Sequence, residues 1–375
     1  MSVSPPPYPY ERLDDLHRRA ARYDGGAIDC SIGTPVDPPP PSVLAALAEG
    51  TDARGYPTSA GSTTYREACA GWMARRFGVA LEADQLAACV GTKEFVASLA
   101  GLLALGRPER DTVLYPSPSY PTYAMGATLA GLRAVAVPRG GDGRTDLAAI
   151  DPRDRDRALV LWVNSPSNPT GLLDDLGAVA AWGREHGVVV ASDECYADYT
   201  WADRPRTILE HGLEGVLAVH SISKRSNLAG LRAGFYAGDP AIVGPLRSWR
   251  QHAGLMVAGP IQAAVAVAYG DDEHVARQRE RYRWRLATLG EALGDAGIVA
   301  TMPEGAFYLW ARRTGDDGWS LAEWLADVAG VVASPGELYG IGGAPFVRVA
   351  VVQPDERVQL AAQRLRDDVV ARASA

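Results

Sequence analysis

The sequence predicts an α/β protein with a mostly parallel sheet covered by helices, followed by a smaller α+β domain. Up to about residue 260 of the 375, buried-strand patterns alternate with helical patterns, which is typical of a parallel sheet with helices on both faces. After Gly259 and Pro260 the pattern changes to one long charged helix and short alternating strands. With 47% hydrophobic residues, a chain of this length can bury a core in each of two domains.

Four windows indicate strands of the large domain, because each is a short apolar or β-branched run that ends at turn residues. These windows are DTVLYPSPS from Asp111, ALVLWVNSPSNP from Ala158, GVVVASDE from Gly187 and GVLAVHSISK from Gly215. Helical patterns alternate with them, in EFVASLAGLLALG from Glu94 and DLGAVAAWGREHG from Asp175. We predict a large domain over residues 45–260, a small α+β domain over 261–375, and an irregular N-terminal arm over 1–44 that packs with the small domain.

Composition argues against several classes of protein. The net charge of -8 comes from 45 acidic and 37 basic residues, and no basic run exceeds a pair, so we expect no nucleic-acid partner. Because the sequence shows neither a stretch of 18 apolar residues nor a signal-peptide pattern, we expect a cytoplasmic protein without a membrane partner. Four scattered cysteines without CxxC or zinc-like spacing predict neither disulfides nor a metal site.

Polar residues follow three of the predicted strands. They lie in residues 164–171 (NSPSNPTG), 193–196 (DECY) and 221–224 (SISK). Since ligands of open parallel sheets bind at the carboxyl ends of the strands, these groups are expected to share one crevice. An amide, a carboxylate, a phenol, hydroxyls and an amine suit a cofactor with a ring nitrogen, a phenolic oxygen, an aldehyde and a phosphate. The inventory therefore predicts pyridoxal 5'-phosphate.

The amine for the aldehyde has two candidates, because Lys93 and Lys224 are the only lysines in the chain. We assign Lys224, since SxSK is followed eight residues later by Arg232, which can bind a phosphate through two hydrogen bonds. The hydroxyls of Ser221 and Ser223 complete that phosphate site. An exposed surface lysine is the alternative interpretation of Lys224.

A second phosphate-binding element is predicted at residues 91–94 (GTKE), just before a helix. Backbone N–H groups and the helix dipole favour an anion there. Gly91 and Thr92 would bind the phosphate and Lys93 would add positive charge, the alternative being an ordinary helix start capped by Thr92.

Three further residues have candidate roles around the ring. A carboxylate from Asp193 would keep the pyridine nitrogen protonated, although an Asp after a strand is often only a turn residue. Asn168 and Tyr196 could donate hydrogen bonds to the phenolic oxygen. Each signal is weak alone, and it is their order and spacing that favour a cofactor site.

Taken together, these motifs resemble the class I/II aminotransferases, which are fold type I PLP-dependent transferases. The resemblance runs along essentially the whole chain, through SIGTPVDP, GYPTSAG, GTKE, PSYPTY, NPTG, DECY, SISKRSNLAGLRAG and FVRVAV. It implies a seven-stranded, mostly parallel sheet sandwiched by helices. It also implies that Lys224 is the Schiff-base lysine and proton carrier, with Asp193 at the ring nitrogen and Asn168 and Tyr196 at the phenolic oxygen.

The same resemblance assigns roles to four residues outside the strand ends. Tyr120 matches the aromatic residue stacked on the cofactor, and Tyr56 matches a tyrosine that reaches the partner's phosphate in an obligate homodimer. Arg348 matches the arginine that binds the substrate α-carboxylate, where Gly33 and Asn168 also contact the substrate. Without the family, Arg348 would be interpreted as a solvated strand arginine.

Stretches outside the catalytic motifs, such as SIGTPVDPPPP and RQHAGLMVAGPIQAA, are similar to N-succinyldiaminopimelate aminotransferases of the actinobacterial type. This implies a ping-pong exchange of the amino group of N-succinyl-LL-2,6-diaminopimelate with 2-oxoglutarate, in lysine and diaminopimelate biosynthesis. Two alternatives stay open: an aminotransferase of another amino acid, including one of secondary metabolism, and a PLP-dependent β C–S lyase. Arg54, Arg225 and Arg250 are among the candidates for binding a distal carboxylate.

Overall fold

The computed structural model describes residues 9–50 and 54–374. The first eight residues of the predicted N-terminal arm therefore lie outside the described residues. By internal contacts the chain divides into two compact units. We call residues 34–280 with 304–306 the large unit, and residues up to 33, 281–303 and 307–375 the small unit.

The bounds of the elements are as follows. The strands are β1 (Ile28–Asp29), β2 (Leu86–Cys89), β3 (Thr112–Pro116), β4 (Arg133–Val137), β5 (Ala158–Asn164), β6 (Val189–Asp193), β7 (Val216–Ser221), β8 (Gly234–Gly238), β9 (Tyr308–Ala311), β10 (Val331–Val332), β11 (Ser334–Pro335) and β12 (Val347–Ala350). The helices are α1 (Asp14–Ala20), α2 (Pro41–Glu49), α3 (Thr63–Phe77), α4 (Thr92–Gly106), α5 (Thr122–Leu129), α6 (Pro152–Arg157), α7 (Leu176–His186), α8 (Ile222–Arg225), α9 (Pro240–His252), α10 (Gly259–Gly270), α11 (Glu273–Asp295), α12 (Gly318–Ala329) and α13 (Asp355–Ala373).

The large unit contains a seven-stranded sheet in the order β2-β8-β7-β6-β5-β3-β4. Strands β3 to β7 pair in parallel, while β8 runs antiparallel to both of its neighbours. Along β5, Leu161 and Val163 belong to one buried cluster and Val160 and Trp162 to another. Because successive side chains point to opposite faces of a strand, both faces of the sheet are covered, and the predicted mostly parallel α/β fold is confirmed.

The four predicted strand windows contain β3, β5, β6 and β7, and the two helical windows correspond to α4 and α7. Helix α7 ends at Gly187 as expected, with a left-handed φ of 60° that favours glycine. Strands β2, β4 and β8 were not predicted. The segment GFYAG of β8 has two glycines and one alanine, so its pairing between β2 and β7, rather than its own propensity, makes it a strand.

The contact units divide the chain at different places from the predicted domains. Helix α10 belongs to the large unit, where Gln262 donates to the carbonyls of Thr58 (3.3 Å) and Val257 (2.8 Å) and accepts from the Ser62 N–H (2.6 Å). These bonds explain why residues 261–280 group with the large unit. The predicted domain boundaries at 44/45 and 260/261 stay a prediction, because contact units and independently folding domains are different quantities.

The small unit has an antiparallel sheet in the order β11-β12-β9 and a parallel pair of β1 with β10. Helix α1 contacts α12 and buries Leu16 and Ala20. The sequence predicts an irregular chain for this N-terminal segment. The seven-residue helix escaped prediction because DDLHRRA is too short to show a helical period.

Within residues 9–50 and 54–374, no helix combines the length and apolar character needed to cross a membrane. The same residues contain no cluster of three His, Cys, Asp or Glu side chains placed to bind a metal ion. All four cysteines are free thiols. Burial raises the pKa of Cys30 to about 12, so this thiol is a protonated core side chain rather than a nucleophile.

Candidate active site

The ends of β5, β6 and β7 bring the three predicted motifs to one edge of the large unit's sheet. Asn164 pairs in register with Asp193, and Asp193 with Val219. The Asn164 amide donates to the Asp193 carbonyl (2.7 Å), and its oxygen accepts from the backbone N–H of Asn168 (2.7 Å). The loop that carries NPTG is thereby tied to the end of the neighbouring strand.

Asp193 is a buried carboxylate with directed hydrogen bonds. Its Oδ1 accepts from the Cys195 N–H (3.3 Å) and its Oδ2 from the Tyr123 hydroxyl (2.9 Å). Burial raises the pKa of Asp193, while the hydrogen bonds from Cys195 and Tyr123 and the charge of His220 act in the opposite direction. A cation next to Asp193 would offset the cost of burying its charge. The carboxylate is therefore suited to pairing with a protonated ring nitrogen. A residue that only formed a turn would not need to be buried and held by two hydrogen bonds.

Tyr123 is a buried partner of Asp193 that was not predicted from the sequence. Its ring stacks on Trp162 (centroids 5.2 Å apart, 21° between planes) and meets Tyr120 edge to face (5.8 Å, 83°). The motif PSYPTY drew attention to Tyr120 alone. The bond from Tyr123 to Asp193 joins α5 to β6, so no local spacing could have signalled it.

The turn before α4 lies against Arg232. An ideal Cβ at Gly91 would be 2.7 Å from Arg232 Cζ, and Gly91 has a φ of 74° that favours glycine. Gly91 is the N-cap residue of α4 and Thr92 is the first helical residue, so Thr92 is not the cap of an ordinary helix start. A guanidinium beside the N-terminus of a 15-residue helix is an arrangement that favours an anion such as phosphate.

Thr92 also connects this turn to the DECY motif. The Cys195 thiol donates to Thr92 Oγ1 at 3.4 Å. Burial and the nearby Asp193 raise the pKa of Cys195 well above its usual range, while the positive charge of Lys224 opposes that rise. The positive charge of Lys224 therefore acts on a thiol of the DECY motif.

The SISK motif turns at the end of β7. Ser221 is the last residue of the strand, and its Oγ accepts from the Ser223 N–H (3.0 Å) and lies 2.7 Å from Ser223 Oγ. Lys224 is half-buried in α8, and the Tyr199 hydroxyl donates to its carbonyl (3.2 Å). Lys93, in contrast, is exposed at the start of α4.

The remaining predicted residues of the large unit differ in burial. Asn168 and Tyr196 are buried in the loops after β5 and β6, and Tyr120 is half-buried. Tyr56, in contrast, is 98% exposed.

In the small unit, Arg348 is buried, which rules out a solvated strand arginine. One Nη atom donates to the Ser31 carbonyl. The Cζ atom lies 4.3 Å from the centroid of the Tyr308 ring and 4.9 Å from that of Tyr339. An ideal Cβ at Gly33 would lie 2.8 Å from two atoms of the Tyr308 ring. Gly33 and Arg348 thus belong to one cluster, joined by Tyr308.

Two of the three candidate arginines for a distal carboxylate have acidic partners within the large unit. Arg225 is buried and pairs with Asp198 (3.2 Å) and Asp272 (2.9 Å). Arg250 is buried and donates to Glu94 (3.0 Å). Both guanidiniums are occupied within the large unit, while Arg54 is exposed close to Tyr56.

The model of the family described as aminotransferase class I and II matches residues 26–365. The chain belongs to this family. It is therefore an enzyme that transfers amino groups, and its cofactor is pyridoxal 5'-phosphate. The donor set fits that cofactor, because the large unit holds a buried carboxylate, a guanidinium at a helix N-terminus and a half-buried amine.

Named relatives are similar along nearly the whole chain. This aminotransferase is 42% identical over 368 residues to the 4-dedimethylamino-4-oxo-anhydrotetracycline transaminase OxyQ of Streptomyces rimosus, covering 96% of this chain and 99% of that one. It is 35% identical to the LL-diaminopimelate aminotransferase of Desulforudis audaxviator, covering 96% and 95%. The solved structure of the probable N-succinyldiaminopimelate aminotransferase of Thermus thermophilus matches with a TM-score of 0.86 and 33% identity, covering 96% and 99%. The three names give three different substrates.

Proposed function

We propose that this aminotransferase exchanges amino groups between the glutamate/2-oxoglutarate couple and N-succinyl-LL-2,6-diaminopimelate, in diaminopimelate and lysine biosynthesis. The observation that supports this substrate is the similarity to two relatives named for diaminopimelates, one a solved structure with a TM-score of 0.86. Both are matched over more than nine-tenths of their length. The enzyme follows a ping-pong sequence in the cytoplasm.

In this proposal the cofactor phosphate binds at the turn before α4. Backbone N–H groups of Gly91 and Thr92 and the Arg232 guanidinium donate to it. The hydroxyls of Ser221 and Ser223 complete the site, and Lys93 adds positive charge from the surface. The contact between Gly91 and Arg232 supports this arrangement.

The ring end of the cofactor would be held by residues that follow β5, β6 and β7. When bound, the cofactor supplies the electron sink for charge at the substrate α-carbon. Lys224 Nζ takes and returns the proton at that carbon. Asp193 would keep the ring nitrogen protonated, Asn168 and Tyr196 would donate to the phenolic oxygen, and Tyr120 would pack on the ring.

Arg348 binds the α-carboxylate of the substrate, with the backbone of Gly33 and the Asn168 amide as further contacts. A guanidinium makes two parallel hydrogen bonds to a carboxylate, which a lysine cannot match. Because donor and acceptor both carry an α-carboxylate, the same residue serves both halves of the reaction. Burial of Arg348 supports the role, since a charge pair is stronger away from water.

We also propose a homodimer whose sites are shared. Tyr56 is 98% exposed and lines a cavity of about 530 Å³ together with Thr58, Arg247 and Gln251. In a dimer its hydroxyl would donate to the phosphate of the partner. Arg54, exposed two residues earlier, is the candidate for binding a distal carboxylate of the partner's substrate.

A half-reaction screen tests the substrate. The absorbance of the cofactor-loaded enzyme is followed while single amino donors are added without an acceptor. We expect glutamate and N-succinyldiaminopimelate to react with second-order rate constants above those of phenylalanine and leucine. An aromatic or aliphatic donor preferred by more than about tenfold, or ~1.4 kcal/mol at the transition state, would contradict the substrate and leave the aminotransferase activity intact.

A second candidate, a transaminase of secondary metabolism, is favoured by the 42% identity to OxyQ over 99% of that enzyme. The two candidates differ in the acceptor. An enzyme of secondary metabolism would pass the amino group of glutamate to a polycyclic ketone and would leave N-succinyldiaminopimelate unreacted. Pyruvate and ammonia released from a β-substituted amino acid without acceptor would instead indicate a C–S lyase.

A further inference from the structure

We infer that Tyr308 and Tyr339 are positioning residues that hold the Arg348 guanidinium for the substrate α-carboxylate. This inference rests on the proposed role of Arg348. It assigns a role in substrate affinity to two core tyrosines of the small unit. Neither the residue type nor the sequence spacing of these tyrosines indicates that role.

The backbone fixes where the arginine starts. Arg348 lies in β12, the middle strand of its sheet, with Ser334 and Trp310 as its partners in register. Ser334 Oγ donates to the Ser31 carbonyl (2.7 Å), the same carbonyl that accepts from Arg348. The Ser31 carbonyl therefore binds one Nη atom of Arg348. Other contacts must orient the rest of the guanidinium plane.

Two aromatic rings supply those contacts. The centroids of Tyr308 and Tyr339 lie 4.3 Å and 4.9 Å from Arg348 Cζ, inside the range of about 6 Å in which a ring attracts a cation. All three side chains are at most 3% exposed, so this attraction acts largely away from water. An aromatic ring attracts a guanidinium without neutralising its charge, so these two contacts restrict the orientation of the Arg348 guanidinium while it stays a cation.

Tyr308 is itself held against the backbone of Gly33. The positions that a Cβ would need at Gly33 are taken by the hydroxyl end of the Tyr308 ring, with Cε1 and Cζ at 2.8 Å. The φ of Gly33 is not in the left-handed region, so glycine is required here for space rather than for conformation. Tyr308 therefore lies in contact with both Gly33 and Arg348. A displacement of Gly33 would move the Tyr308 ring and, through it, the Arg348 guanidinium.

The test is a double-mutant cycle on the glutamate half-reaction. Tyr308→Leu removes the ring, and we expect the second-order rate constant of this variant with glutamate to fall about tenfold. The loss should appear as a higher KM for glutamate, with kcat little changed. Tyr308→Phe keeps the ring and should stay within about threefold of the wild type. In an Arg348→Leu background, Tyr308→Leu should change the rate constant by less than about twofold, because its effect acts through the arginine.

Two further variants keep the test decisive if Tyr308→Leu does not fold. Tyr339→Leu should reproduce the rise in KM, and Tyr339→Phe, which keeps the ring, should stay within about threefold of the wild type. The binding of glutarate, which has no amino group to react, should weaken in parallel and gives a readout independent of turnover. Melting temperatures of all variants report any loss of fold.

The outcomes separate this inference from the function on which it rests. An Arg348→Leu enzyme with an unchanged glutamate rate constant would refute the carboxylate-binding role itself. If Arg348→Leu is impaired while Tyr308→Leu and Tyr339→Leu keep wild-type KM values, only the positioning role fails. Equal losses from Tyr308→Leu in both backgrounds would also refute it, since the tyrosine would then act independently of Arg348.

Discussion

The hydroxyl of Tyr123 donates a 2.9 Å hydrogen bond to the carboxylate of Asp193, which lies 70 residues further along the chain. Tyr123 is in turn held by stacking on Trp162 of the neighbouring strand β5. The orientation of the carboxylate is therefore fixed by an aromatic pair of the core, in addition to its own strand.

Tyr123→Phe should weaken cofactor binding. The hydrogen bond from Tyr123 lowers the pKa of Asp193 against the effect of burial, so its loss makes the charged carboxylate less favourable. We expect the Kd for pyridoxal phosphate to rise roughly tenfold, from the ~1.5 kcal/mol of a hydrogen bond to a charged group. Equilibrium dialysis and a pH titration of the cofactor absorbance measure the effect.

Tyr65→Phe is the matched control for that variant. The Tyr65 hydroxyl is also buried and donates to the Gly234 carbonyl at 2.6 Å, so its removal costs a similar amount of stability. It should leave the Kd and the titration unchanged. Equal shifts in both variants would show that Tyr123 contributes only to the fold.

Asp193→Asn should stabilise the apoenzyme at neutral pH while weakening the cofactor complex. Because burial raises the pKa of Asp193 above its unfolded value of 3.8, the folded apoenzyme binds this proton more tightly than the unfolded chain does. Between those two pKa values the free energy of unfolding rises as the pH falls. The advantage of the Asn variant at pH 7 should therefore shrink on acidification, as measured by thermal unfolding.

The same variant should lose at least about tenfold in cofactor affinity, or ~1.4 kcal/mol, because the ring nitrogen loses its counter-charge. Asp198→Asn provides the control, since Asp198 is equally buried and pairs with Arg225 and Arg76. Breaking a buried ion pair is destabilising by about 3–5 kcal/mol. A destabilised Asp193→Asn apoenzyme would contradict the argument.

The two lysines allow a direct test of the amine. Lys224→Ala should retain noncovalent cofactor but lose turnover by several orders of magnitude, whereas Lys93→Ala, exposed at the start of α4, should keep most of its activity. Borohydride reduction of the wild type followed by peptide mapping should find the cofactor on Lys224. Label on Lys93 would overturn the assignment.

Much of the site's edge of the sheet could be predicted from the sequence, because continuous apolar runs reveal β5, β6 and β7 and parallel strands bring their ends together. The contacts between side chains could not. The pairs Gly91 with Arg232, Tyr123 with Asp193 and Tyr308 with Arg348 each join different elements. For the same reason, the ion pairs of Arg225 and Arg250 could not be predicted from the sequence, because their acidic partners lie on other elements of the fold.

Sharing of sites between subunits is tested by mixing two inactive variants. If Tyr56 serves the partner's phosphate, Tyr56→Ala and Lys224→Ala subunits should each be inactive as homodimers, and each hybrid dimer should regain one intact site. Activity after verified subunit exchange, with the molecular mass from sedimentation, measures this. Absence of recovery would mean that Tyr56 acts within its own chain.

Gly91→Ala should disable the phosphate site for a steric reason. A Cβ there would lie 2.7 Å from Arg232 Cζ, and φ at Gly91 is 74°, so both the guanidinium and the turn must shift. Gly78→Ala carries a similar backbone penalty of about 1 kcal/mol, because Gly78 ends α3 with a φ of 72° and no atom lies within 4 Å of its Cβ position. Both variants should lose similar stability, but only Gly91→Ala should bind pyridoxal phosphate more weakly, by more than about tenfold. Its affinity for pyridoxal, which has no phosphate, should stay close to that of the wild type. A parallel loss of affinity for both ligands would place the effect of Gly91 at the ring rather than at the phosphate.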